Sequence, residues 1–222
     1  MRNIVTPSIN CSDFACVKER LKISEALRQA QGISNFWVHV DISDGKFTPH
    51  ISWNNPEEIS NLKSQISNLN VEVHLMVEDP EAQIDAWLRA GAKRIIAHLE
   101  AMRDPVYIAE KCKKYGAEFF LAINPATEVE RLLVYLDDVD GVLTLGVFPG
   151  PSGQEMKQEI LDKIKYLREN NPDLNIEIDG GVNLETAKLA KEAGANIFVA
   201  GNFIFGNKNP EKAYADLGRA VL

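Results

Sequence analysis

Trp37-Val38-His39-Val40-Asp41-Ile42-Ser43-Asp44-Gly45 decides the fold. Apolar and polar residues alternate through it. That is the pattern of a strand whose successive side chains point to opposite faces. His39 and Asp41 therefore share one face near the carboxyl end, and Asp44-Gly45 is turn chemistry that closes the strand. A buried carboxylate is costly unless it is paired or ligates a metal. The strand therefore needs partners from elsewhere in the chain.

Outward from it, short apolar strands alternate with amphipathic helical stretches. Strands are predicted at 4–8, 36–41, 71–76, 94–98, 118–123, 139–145, 175–179 and 196–200. Helices are predicted at 13–31, 56–66, 79–90, 104–116, 127–136, 155–170, 184–193 and from 210 onward. Asp13 suits an N-cap, Asp79-Pro80 and Asp104-Pro105 place a cap before a first-turn proline, and Gly32, Gly91, Gly116 and Gly194 end their helices. Eight strand-then-helix units run without a linker or a composition break. Such alternation demands a parallel sheet with helices outside it, and eight units close into a (β/α)8 TIM barrel, read here as one domain over 1–222. An open doubly wound sheet is the competing architecture.

The 222 residues are 45% apolar, enough for a full core. The net charge of −8 argues against nucleic acid or an anionic membrane as partner, though an anionic substrate can still meet a locally positive site. Cys11, Cys16 and Cys112 are odd in number and lack metal-ligand spacing, so they read as reduced thiols of a cytoplasmic protein. The first residues carry no signal-peptide pattern, and no apolar run is long enough to span a membrane. Assembly as a homo-oligomer is expected.

Chemistry in such barrels sits at the carboxyl ends of the strands. Ser8, His39, Asp41, His74, His98, Glu100 and Asp179 all fall there. The two imidazoles and two carboxylates of His39, Asp41, His74 and Asp179 make a plausible ring of ligands. Mixed nitrogen and oxygen donors suit Zn²⁺ or Fe²⁺, with Mn²⁺ or Co²⁺ as alternatives, better than Mg²⁺. His98 and Glu100 suit a supporting role, and Asp44 a turn. A second group carries glycine: Pro149-Gly150-Pro151-Ser152-Gly153 after the sixth strand, Asp179-Gly180-Gly181 after the seventh and Ala200-Gly201-Asn202 after the eighth. Backbone N–H groups of such loops bind phosphate at barrel rims.

Along its whole length the chain resembles the ribulose-phosphate 3-epimerase family. The matching residues are Pro7-Ser8-Ile9 with Asp13-Phe14, His39-Val40-Asp41 with Asp44-Gly45, Val73-His74-Leu75-Met76 and Asn124-Pro125-Ala126-Thr127. Pro149-Gly150 with Gly153-Gln154, Asp179-Gly180-Gly181 and Val199-Ala200-Gly201 complete the match. The resemblance implies a divalent metal held by His39, Asp41, His74 and Asp179, with Asp41 and Asp179 also the acid/base pair. It implies substrate contacts from Ser8, His74, Gly150, Pro151, Ser152, Gly153, Gly180, Gly181, Gly201 and Asn202. The implied reaction is epimerisation at C3 of a phosphorylated ketose, ribulose to xylulose 5-phosphate, by two-carboxylate proton exchange through a metal-stabilised enediolate.

The chain also departs from the family pattern. Ser43 stands where methionine is usual, His50 where asparagine is usual, Asn202 where serine is usual, and Leu145-Gly146-Val147-Phe148-Pro149-Gly150-Pro151-Ser152-Gly153 replaces the usual glycine-rich loop. A six-carbon substrate such as allulose 6-phosphate is therefore the alternative. A synthase or decarboxylase would want a lysine at the strand ends, and Lys46 lies beyond the turn. A non-catalytic sugar-phosphate-binding barrel is the third reading.

Overall fold

Every strand finds its neighbour in chain order. β1 (Ile4–Ile9), β2 (Phe36–Ser43), β3 (Leu69–Met76), β4 (Arg94–His98), β5 (Glu118–Ile123), β6 (Gly141–Leu145), β7 (Ile176–Asp179) and β8 (Ile197–Ala200) pair in parallel. Pairing of β8 with β1 closes the barrel. The computed structural model describes residues 2–62, 68–151 and 153–222. Helices α1 (Phe14–Gln31), α2 (Pro56–Leu62), α3 (Pro80–Ala90), α4 (Pro105–Tyr115), α5 (Glu159–Asn170), α6 (Leu184–Ala193), α7 (Asn202–Phe205) and α8 (Pro210–Val221) follow the strands, except after β5. Among the described residues no helix is long and apolar enough to cross a membrane.

The caps follow the sequence. Asp13, Asp79 and Asp104 accept the amides of Cys16, Ala82 and Tyr107, satisfying donors that a helix start leaves free. Gly91 and Gly194 end α3 and α6 in the left-handed conformation and turn the chain into the next strand.

Four expectations need correction or trimming. The stretch 127–136 is not an α-helix; a 3₁₀ segment covers Val129–Tyr135. The Thr127 hydroxyl donates to the Glu100 carboxylate, and the Lys163 ammonium, which also binds the Pro125 carbonyl, takes the Thr127 carbonyl that would have been the helix's first acceptor. The helix expected from 155 starts at Glu159, because the preceding residues are bound to the barrel wall by Lys157 N–H donating to Gly146 O at 2.8 Å. The expected end of α2 at 66 lies outside the described residues. Cys11 and Cys16 are not free thiols but a disulfide; the loop into α1 brings their Cα atoms to 5.8 Å, within bridging range. Cys112 alone is free, and it is buried, so cysteine content does not support a reducing compartment.

Alternation on the strands builds two interiors. Residues such as Val38, Val40, Val73 and Leu75 face the helices and form the main apolar layer. The inward residues divide by side. Ile96, Phe120, Ala122, Leu143, Leu145 and Ile197 form an apolar plug. The inward positions of β2, β3 and β7 carry His39, Asp41, Glu72, His74, Glu177 and Asp179 instead. Gly141 makes the plug possible, since a Cβ there would sit 2.5 Å from the Phe120 ring. Gly141→Val should lower stability by about 1–3 kcal/mol, the usual cost of overpacking. Chemical denaturation checks this, with Gly218→Ala as a control because its Cβ meets open space.

Candidate active site

The site is built by register. β2 and β3 pair Asp41 with His74, and β1 and β2 pair Ser8 with His39. β6 and β7 pair Leu145 with Asp179. Three strands thus deliver four donor groups to one level of the barrel mouth.

The donor atoms converge. His39 Nε2 lies 3.2 Å from both Asp41 Oδ1 and His74 Nδ1, and His74 Nδ1 lies 3.1 Å from Asp41 Oδ1. Asp179 Oδ2 completes the group at 3.9 Å from His39 Nε2 and 3.7 Å from His74 Nδ1. All four donors lie within 4.8 Å of one another. Zinc bonds of about 2.0–2.1 Å in a tetrahedron separate ligands by roughly 3.3 Å. The observed separations bracket that figure, so the residues fit a divalent ion in both spacing and donor chemistry.

Both imidazoles are aimed for ligation. Glu100 Oε1 accepts the Thr127 hydroxyl and the Asn124 amide at 2.8 Å, which holds the carboxylate in place. Glu100 Oε2 can then accept His98 Nδ1–H at 3.3 Å, and His98 Nε2 can accept His74 Nε2–H at 2.9 Å. That proton order leaves the His74 Nδ1 lone pair facing Asp41. His98 and Glu100 therefore support His74, as their sequence position suggested. Ser8 does more than line the cavity: its hydroxyl donates to Asp41 Oδ2 at 2.7 Å.

Electrostatics separates the two carboxyls. Burial alone would raise Asp41, but chiefly the charge and hydrogen bond of His39 outweigh it and hold the carboxyl far below its ordinary range. Burial and the adjacent Asp41 charge push Asp179 up to about 8. Burial would lower His39, yet Asp41, Glu177 and Glu72 around it raise it well above the usual histidine value. His74 is pushed down to about 4, chiefly by burial.

A cavity of about 450 Å³ opens over the carboxylates. Ser8, Asp41, Gly150, Pro151, Gly153, Asp179, Gly180, Gly181, Gly201 and Asn202 all line it. Ser152 lies outside the described residues. His39 and His74 are fully buried behind the carboxylates, so His74, expected to touch substrate, meets the site only through Asp41 and Asp179. Gly181 has φ +70°, and a Cβ there would fall on the Met156 backbone, which fastens the β7 loop to the β6 loop. The β2 loop also reaches across, with Thr48 Oγ1 donating to Pro149 O at 2.8 Å and His50 Nε2 lying 3.1 Å from Asn10 Oδ1. Asp44 accepts the Lys46 and Phe47 amides as a turn residue, and Lys46 is exposed and paired with Glu78.

Sequence reading missed three residues. Glu72, Glu177 and Arg94 lie buried one layer beneath the site. Burial and the Glu72 charge push Glu177 up to about 7. The signal was there: Glu72 and Glu177 each stand two residues before a site residue on the same strand, and so on the same face.

A closed parallel barrel with imidazoles and carboxylates gathered at its carboxyl mouth, beside glycine-bearing loops, defines a class of barrel enzyme that acts at the strand ends. A family model described as the ribulose-phosphate 3-epimerase family matches residues 4–205. The ribulose-phosphate 3-epimerase of Methanocaldococcus jannaschii is 37% identical over 97% of this chain and 89% of its own length. That of Bacillus subtilis is 35% identical over 96% of this chain and 97% of its own. The chain belongs to the ribulose-phosphate 3-epimerase family and is an enzyme of the epimerase class. The crystal structure of orotidine 5'-phosphate decarboxylase from Pyrococcus horikoshii superimposes with a TM-score of 0.68 over 98% of this chain and 99% of that one, at 18% identity. That likeness reports the barrel fold alone.

Metal uptake would expel protons, because burial and the Asp41 charge push Asp179 up to about 8 and the surrounding carboxylates raise His39 well above the usual histidine value. The apparent Zn²⁺ affinity of metal-free protein should therefore rise as pH increases from 6 to 8, by about tenfold per pH unit for each proton displaced. Calorimetric titration in buffers of different ionisation enthalpy checks this, and a flat profile would contradict it.

Proposed function

We propose that this chain interconverts D-ribulose 5-phosphate and D-xylulose 5-phosphate by moving the C3 proton between two carboxyls. The observation that supports this most is the pairing of Asp41 and Asp179. Both line one cavity, and their environments drive their proton affinities in opposite directions. Unlike carboxyls facing a common space are the arrangement that acid/base exchange requires.

Epimerisation next to a ketone removes a weakly acidic proton and returns one on the opposite face. One carboxylate takes the proton, the other carboxyl supplies one, and the roles reverse with the direction of reaction. Ser8 holds Asp41 Oδ2, which limits rotation of that carboxylate. A divalent ion held by His39, Asp41, His74 and Asp179, Zn²⁺ or Fe²⁺ by donor chemistry, supplies Lewis-acid polarisation of the substrate carbonyl when bound. The loops at Gly150–Gly153, Gly180-Gly181 and Gly201-Asn202 take the phosphate, whose binding orients the reacting carbon. Packing of β2, β3 and their neighbours keeps water from the imidazoles, which are fully buried.

A six-carbon substrate, allulose 6-phosphate, is the second reading. It is supported by the altered β6 loop, whose Phe148 lines the cavity yet stays 51% exposed.

Two measurements test the proposal. Asp41→Asn and Asp179→Asn should each lower exchange of the C3 proton with solvent deuterium by 10²-fold or more while circular dichroism stays unchanged. Exchange at the parent rate in either variant would contradict the two-carboxyl assignment. With metal-reconstituted protein, kcat/KM for ribulose 5-phosphate should exceed that for allulose 6-phosphate by at least tenfold, the difference one misfitted substrate group commonly makes. The opposite order would favour the six-carbon reading.

A further inference from the structure

We propose that Glu72 is a positioning residue for His39: its carboxylate fixes which imidazole nitrogen is free to bind the metal, and Arg94 fixes the carboxylate. This rests on the reading of His39, Asp41, His74 and Asp179 as a metal site.

His39 is fully enclosed, so protein groups alone determine where its proton sits. Glu72 Oε1 lies 2.9 Å from Nδ1, and Glu177 Oε1 lies 3.3 Å from the same nitrogen. The Glu72 carboxylate at 2.9 Å accepts and cannot donate, so Nδ1 carries a proton. Nε2 is then the nitrogen that can give up its proton to bind metal, and it faces Asp41 Oδ1 and His74 Nδ1, where the other donors converge.

Two fully buried carboxylates side by side repel one another, and Arg94 offsets part of that repulsion. Its guanidinium pairs with Glu72 Oε2 and stands 3.4 Å from Glu177 Oε2. It lies over Trp37 at 4.1 Å and Phe120 at 4.0 Å, and it is tied to Glu118 at 2.6 Å. A clamped guanidinium has little freedom to follow a displaced partner. The same cation disfavours a second ion at His39, Glu72 and Glu177, whose spacing alone would allow one. The positive charge there is already supplied by the chain.

Glu72→Gln separates the two functions of the carboxylate. Glutamine has one oxygen where two donors compete. Arg94 can only donate, so it takes the oxygen, and the NH₂ group is turned toward His39 Nδ1. The proton is then displaced toward Nε2, the nitrogen that must bind metal.

Zinc titration and long-range ¹⁵N–¹H NMR of the histidines test this, and with four histidines in the chain assignment is tractable. In the zinc-loaded parent, His39 should bind through Nε2 and keep a slowly exchanging proton on Nδ1. Glu72→Gln should bind zinc roughly 10- to 100-fold more weakly. Glu72→Asp, which retains two oxygens, should recover part of the loss. Zinc affinity in Glu72→Gln equal to the parent's would overturn the proposal. So would coordination of His39 through Nδ1 in the zinc-loaded parent, a result that needs no variant to fold. Failure of the parent to take up zinc, Fe²⁺, Mn²⁺ or Co²⁺ would instead overturn the metal reading beneath it, so the two failures are distinguishable.

Discussion

Charge buried without water is the constraint on which this structure depends. Down one half of the barrel, Asp179 and Asp41 lie above His39, His39 above Glu72 and Glu177, and those above Arg94 and Glu118. Each group is tolerable only because its neighbour carries the opposite sign or donates a hydrogen bond. The other half, Ile96 to Ile197, is apolar and closely packed. The polar column therefore leans on a rigid wall, and its groups have few alternative positions. Removing the Arg94 charge while keeping both glutamates would cost about 3–5 kcal/mol, the usual penalty for a stranded buried charge.

Alternating signs down the column leave one excess. At the mouth, Asp41 and Asp179 crowd each other, and His39 supplies most of the compensating charge near them, because burial discourages protonation of His74. Metal-free protein relieves the crowding by keeping Asp179 protonated. A divalent cation there would relieve it by neutralising both carboxylates, so the donor set and the pKa pattern point the same way. Lower down, Arg94 does for Glu72 and Glu177 what the metal would do for the upper pair. On the proposed reading, Arg94 is the fixed cation of the structure and the divalent ion would be the exchangeable one of the chemistry.

Most of this was legible because strands and helices have different periods. His39-Val40-Asp41 showed a shared polar face, eight strand-helix units showed a closed barrel, and Asp-Pro caps marked two helix starts within a residue. What was not legible depended on groups distant in sequence. The 3₁₀ segment at Val129–Tyr135 exists because Glu100 and Lys163 claim its leading polar groups. The Cys11–Cys16 bridge depends on how the β1–α1 loop folds back, which spacing alone does not reveal. Glu72 and Glu177 share a strand face with His74 and Asp179, but nothing in the sequence showed that Arg94 would meet them inside the barrel. His74 was read as touching substrate, whereas it is enclosed behind the carboxylates.

Four side chains from three strands meet at one point of the barrel mouth, where the proposed cation belongs. Anomalous diffraction from crystals of zinc-loaded protein tests it most directly. A single strong peak per chain is expected, within about 2.0–2.2 Å of His39 Nε2, Asp41, His74 Nδ1 and Asp179. A peak elsewhere, or a fully loaded protein with these four side chains uncoordinated, would contradict it.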